Sequence, residues 1–166
     1  MRKGEFYLNF EFTTDFRSLY EMDKVYFSLV ILFIFGRTGN CDQTQYNVNN
    51  QPLTVCSTNP MTGWYRNGKC MTDVNDWGTH VVCAVMTDEF LDYTKSRGND
   101  LSTRRGSFPG LKVGDRWCLC SLRWKEAHDA GKAPLVDMSA TNKKVLNDVE
   151  KGILKLYAVS SKKVEL

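Results

Sequence analysis

The first chemistry this sequence offers lies in Trp117-Cys118-Leu119-Cys120. In an extended segment side chains alternate, so Cys118 and Cys120 point the same way and present two thiols to one site. Such a pair suits a metal ion or a redox partner. Together with His80 and Cys83 it supplies four nitrogen and sulfur ligands, the number a closed structural zinc site takes, with Cys56 and Cys70 as substitutes. The spacing is not the usual pair of two-residue knuckles, and a regular strand from His80 to Cys83 turns those two side chains to opposite faces. The plainer alternative is that Cys83, Cys118 and Cys120 are core, because free cysteines pack as small apolar groups.

A thiol can instead do covalent chemistry. A nucleophilic cysteine reacts as its thiolate, which an imidazole, a cation or a helix N-terminus makes available. His80, Arg116 and Arg123 are the partners on offer. They suggest Cys118 or Cys120 as nucleophile, His80 as base, and Asp76 or Asp100 as the carboxylate that orients the base. His128 falls on a predicted helix and reads as part of a solvated face. No Walker loop, dinucleotide-binding fingerprint, nucleophile elbow or zinc-protease helix occurs, so several large enzyme classes lose their main support in the sequence.

A second chemistry lies between Ser96 and Arg116, a stretch with four glycines, one proline and no period. Loops of this length inside a compact domain are usually functional or disordered. Arg97, Asn99, Asp100, Arg104 and Arg105, with Ser102, could hold a phosphate or carboxylate through bidentate hydrogen bonds. The competing reading is a solvated loop with a few salt bridges.

The elements that must position these groups are short. Leu53 to Cys56 reads as a strand broken by Asn59-Pro60. Asn67-Gly68 between two short runs signals a hairpin in which Tyr65 faces Cys70. His80 to Met86 is apolar and β-branched, a buried strand. Thr87 caps a helix through Lys95, with acids in its first turn and Gly98 as its stop. Leu122 to Ala130 is a second helix, ended by Gly131 and Pro134, and Leu135 to Ala140 a further strand. Thr141 caps a helix over Asn142 to Val149, and Gly152 to Val159 is a last amphipathic helix.

Composition bounds the whole. A chain of 166 residues with 42% hydrophobic content fits one ordinary domain plus an extension. The formal charge of +3 comes from interspersed residues, without the basic stripe of a duplex-binding surface, so no nucleic-acid partner is expected. Ten of the sixteen Phe and Tyr residues lie in the first forty positions, whereas the six cysteines lie beyond them. Residues 1–40 therefore read as an extension and 41–166 as the domain. The apolar run 25–35 is shorter than the roughly 20 residues of a spanning helix, so no membrane span is expected. Residues 22–35 have the charged start and apolar middle of a secretory signal but no small-residue cleavage site. The favoured reading is a cytoplasmic protein with reduced thiols; if 22–35 acts as a signal, the secretory pathway is the alternative.

The runs Pro52 to Arg66, His80 to Leu91, Arg97 to Thr103 and Phe108 to Cys120 closely resemble the mainly bacterial proteins grouped as domain of unknown function 2237. The resemblance covers roughly residues 46 to 159. It implies a small, stand-alone, usually cytosolic domain, and it brings no established activity. Lys69-Cys70 stands where that family often has Cys-Cys, and Asn142 where it often has His. The fold expected is α+β, a single small domain of short strands and two to four helices. The leading function is a binding module for a small anionic ligand or a protein, its fold fixed by zinc on His80, Cys83, Cys118 and Cys120. The alternative is a cysteine-dependent redox or transfer enzyme.

Overall fold

A computed structural model describes residues 44–159. The expectations about residues 1–40, including the signal-like segment 22–35, fall outside them. The order of elements is β1 (His80–Val85), α1 (Asp88–Ser96), β2 (Arg116–Cys120), α2 (Ser121–Asp129), β3 (Leu135–Val136), a 3-10 turn (Lys143–Asn147) and α3 (Lys151–Leu156). The strands form one antiparallel sheet in the order β2-β1-β3, and the fold is α+β as expected.

Local chemistry explains where these elements start and stop. The Thr87 hydroxyl accepts from the Phe90 N–H at 3.2 Å and caps α1, whose first turn carries Asp88 and Glu89. Gly98, with φ of 79°, takes the left-handed conformation just past its end. The expected strand from Leu135 stops at Val136 because the Asp137 carboxylate folds a turn, accepting from the Ser139 and Ala140 N–H groups. Thr141 is not the next cap. Its hydroxyl accepts from the Cys83 N–H, and Asn142 caps the 3-10 turn by accepting from the Lys144 N–H at 2.9 Å.

Residues 44–79 depart most from expectation, forming isolated bridges and turns without a strand or helix. Leu53 to Cys56 joins no ladder; Thr54 N–H donates to the Ser139 carbonyl and Cys56 N–H to that of Gly68. Asn67-Gly68 is a bend and not a hairpin tip. The positive-φ residues there are Arg66 and Gly68 rather than the two central positions of a hairpin turn. Tyr65 is consequently exposed and donates to Asp73, while Cys70 is fully buried. Gly63 is required: a Cβ there would lie 2.2 Å from the Lys69 carbonyl oxygen.

The two faces of the sheet carry different cores. Val82, Ala84, Trp117, Leu119 and Val136 join Phe90, Trp124, Ala127, Val145 and Leu154 in the larger apolar cluster against the helices. Full burial of side chains such as Phe90 contributes about 1.5–3 kcal/mol each. Trp124 is fully buried and satisfies its indole N–H on the Pro134 carbonyl. Cys83 and Cys118, in register across β1 and β2, face the other way and pack with Cys56, Cys70 and Ala140 beneath residues 44–79. Among the described residues no helix is long and apolar enough to cross a membrane.

Candidate functional site: an Asp76, His80, Cys120 cluster beside a cleft

One irregularity in the sheet builds the site. His80 pairs with Cys120 and Cys83 with Cys118, but the register shifts between His80 and Val82. The extra residue, Val81, is a β-bulge, and it reverses the alternation that would have sent His80 and Cys83 to opposite faces. His80 thus comes to the face of Cys118 and Cys120 and meets the Cys120 thiol. Cys120 also holds the N-cap position of α2, at the positive end of that helix dipole.

Asp76 orients the imidazole. Its side chain is fully buried, with one oxygen 2.6 Å from His80 Nδ1 and the other accepting from the His80 N–H at 2.8 Å and the Thr72 hydroxyl at 2.9 Å. The carboxylate is thereby satisfied by three hydrogen bonds. Trp64 stacks nearly parallel over the ring at 6.2 Å between centroids. The Cys120 sulfur beside the ring, and then Asp76, raise the His80 pKa from 6.5 to about 9 against an opposing effect of burial. His80 therefore carries a proton at neutral pH. Gly78 leaves room for the pair: a Cβ there would lie 2.5 Å from His80 Cε1 and 3.1 Å from Cys120 Sγ.

His80 also lines a cleft of about 430 Å³ at the outer edge of β2, with Trp64, Arg66, Arg105, Trp117 and Cys118 among its walls. Cys120 is not a wall residue; it is partly exposed and lies beside His80, which is one. The Arg66 guanidinium lies 4.9 Å over the Trp117 ring, a cation–π contact at the cleft wall. Thr62, wholly buried, accepts from the edge N–H of Cys118 at 2.8 Å, tying the loop over the sheet to β2.

The residues expected to hold an anion do not converge. Arg97 pairs with Glu126 at 3.0 Å, Asn99 donates to Thr94, and Arg104 is exposed on the loop. Only Asp100 and Arg105 line the cleft, and they face each other at 3.4 Å. Asp100 organises its loop. It accepts from Ser102 and Thr103, and the Thr103 hydroxyl above all holds its carboxyl well below the usual carboxylate range. It does not orient His80; that is Asp76. Arg116 and Arg123, the other proposed activators of a thiol, are paired with Asp137 and Glu126. His128 is not a freely solvated side chain but stacks on Trp124 at 5.6 Å.

The four proposed zinc ligands are divided. Cys83 is disulfide-bonded to Cys56 and Cys118 to Cys70, so neither sulfur is a thiolate beside His80 and Cys120. The expectation of reduced thiols is corrected in the same way, and Cys120 is the free cysteine among the described residues. Of the two candidate nucleophiles, only Cys120 keeps a thiol. The sequence signal for the clustering was the period-two pair itself, but nothing in it marked Val81 as a bulge. Arg66, Trp64 and Gly78 were missed as site residues because each sits in irregular backbone.

Comparison with curated proteins finds no match. Over residues 46–158 the chain matches the family model described as an uncharacterized protein conserved in bacteria, DUF2237, and it belongs to that family.

Proposed function

We propose that this protein is a cysteine-dependent transfer enzyme in which Cys120 is the nucleophile, His80 the proton carrier and Asp76 the residue that orients it. The reading is carried by one observation, the bulge-directed approach of His80 to Cys120 while a buried carboxylate holds the ring at Nδ1. That is the arrangement of an activated nucleophile whose base is oriented by a third group. The imidazole holds its proton beside the Cys120 sulfur. As the sulfur attacks, the proton stays on His80, and it then passes to the leaving group.

The cleft favours a small substrate with an anionic group. Among the described residues Arg66 forms no salt bridge with an acidic side chain, so its charge is available, and Trp64, Phe108 and Trp117 offer apolar faces beside it. The anionic ligand expected of a binding module becomes the substrate in this reading.

The test is the rate at which iodoacetamide alkylates Cys120 at pH 7, followed by peptide mass spectrometry. In the native protein Cys120 should react at least tenfold faster than in His80→Gln, with Asp76→Asn between them. Equal rates in all three would end the proposal.

A further inference from the structure

The smaller core, on the face of the sheet away from the helices, is built largely of sulfur. Cys56, Cys70, Cys83 and Cys118 are all buried in it. The sulfurs of Cys56, Cys70 and Cys83 lie within 4.8 Å of one another, and that of Cys118 is bonded to Cys70. The sheet also brings Cys118 to Cys83. These two residues are opposed on β2 and β1, and their N–H groups leave the ladder to donate to the hydroxyls of Thr62 and Thr141. They are therefore a non-hydrogen-bonded pair, the class whose Cα atoms approach to about 4.5 Å and whose side chains lie closer. Around a tetrahedral zinc ion with Zn–S bonds of about 2.3 Å, neighbouring sulfurs stand about 3.8 Å apart. Cys70 already holds its sulfur no more than about 1 Å beyond that spacing from those of Cys56 and Cys83.

We propose that, once its two disulfides are reduced, this cluster is a structural zinc site with Cys56, Cys70, Cys83 and Cys118 as its four ligands. Two equivalents of a dithiol reduce the two bridges to four thiols and are themselves oxidised to two disulfides. The four thiols then bind one Zn²⁺ as thiolates and release their four protons to water. An all-sulfur tetrahedron suits zinc, and it leaves no open position for a substrate, so the ion is structural. Cys118 lines the cleft, which gives reductant and metal a way in, and Arg66 on the same wall brings a positive charge to that side of an anionic cluster. The ion joins the same four points as the disulfides, so residues 44–79 stay tied to β1 and β2 in either redox state. The site uses none of Asp76, His80 and Cys120, and it stands or falls separately from the nucleophile proposed above.

The test uses the full chain carrying Cys41→Ser and Cys120→Ser, in which the four ligands are the only cysteines. Reduced with a phosphine under nitrogen and titrated with Co²⁺, it should bind one ion per chain with the visible absorption of a tetrahedral thiolate site. One equivalent of Zn²⁺ should abolish that absorption, and the chain left oxidised should bind neither ion. Adding Cys56→Ser from the loop, or Cys118→Ser from the sheet, should weaken cobalt binding at least tenfold. Zn²⁺ should also restore slow hydrogen exchange across residues 44–72 of the reduced chain, and this decides the matter if either added substitution opens α2 as well. No uptake by the reduced chain overturns the site, and so does equal uptake by the oxidised chain or by either variant. Uptake that leaves residues 44–72 exchanging as fast as without metal overturns it too, because the ion is then held by an opened chain.

Discussion

His80 is the residue on which the chemistry turns, and its protonation gives the sharpest test. Its pKa is raised from 6.5 to about 9, chiefly by Cys120, so the folded state favours the charged imidazole. A raised value means that its contribution to stability is fully present below about pH 6.5 and is lost as the pH rises through about 9. The same proton serves the leaving group, so the rate of a transfer reaction should fall along a limb centred near pH 9, and His80→Gln should remove that limb. Because Cys120 is the leading cause, the imidazole of His80 in Cys120→Ser should titrate well below 9 when its Cε1 proton is followed by nuclear magnetic resonance. An unchanged titration would mean that the sulfur is not its partner. Gly78 gives an independent check. A methyl at Gly78→Ala would displace the ring rather than backbone, since the nearest atoms are His80 Cε1 and Cys120 Sγ. That variant should fold with a thermal midpoint close to the native one, yet alkylate Cys120 several times more slowly.

At the scale of elements, the bulge at Val81 and the loop closed by Asp100 place the site, and the sequence revealed them unequally. The strand through His80 was legible from its apolar β-branched run, helix α1 from its period and Thr87 cap, and helix α2 from its stop at Gly131. The bulge was not, because an inserted residue changes facing without changing composition, and Val81 is as apolar as its neighbours. The region 44–79 was misread as strands because its apolar residues are held by disulfides and side-chain bonds, which leave no periodic trace. The anion loop was misread for a related reason: Arg97 and Asn99 are spent on Glu126 and Thr94, partners that spacing does not disclose. Asp100 makes the loop testable. Its depressed pKa places its contribution to stability above the ordinary carboxylate range, to be lost only as the pH falls far below it. Asp100→Ala should therefore leave residues 97–116 open to limited proteolysis at pH 7, while the native loop resists cleavage there. Equal cleavage of both would show that Ser102 and Thr103 hold the loop without the carboxylate.

For the molecule as a whole, the two disulfides decide whether residues 44–79 stay over the sheet. That region has no ladder or helix of its own, and Cys56 and Cys70 bond it covalently to Cys83 on β1 and Cys118 on β2. The bridged residues are 27 and 48 positions apart in sequence. On the chain-entropy model, closing loops of these lengths stabilises the fold by about 3.5 and about 4 kcal/mol respectively. A small domain is commonly stable by only about 5–15 kcal/mol, so losing both bridges removes a large share of the total. The larger apolar cluster contains none of the four bridged cysteines, and it keeps its contacts between sheet and helices. Reduction should therefore act unevenly: under a reductant, hydrogen exchange should accelerate first across residues 44–72, later in β1 and β2, and last in α2 around Trp124. Asp76 is anchored by Thr72 at the boundary of that region, so reactivity of Cys120 that depends on His80 should decline with the first phase, before the core opens. Simultaneous loss of protection across 44–159 would mean that the disulfides hold the whole fold together rather than this cover alone.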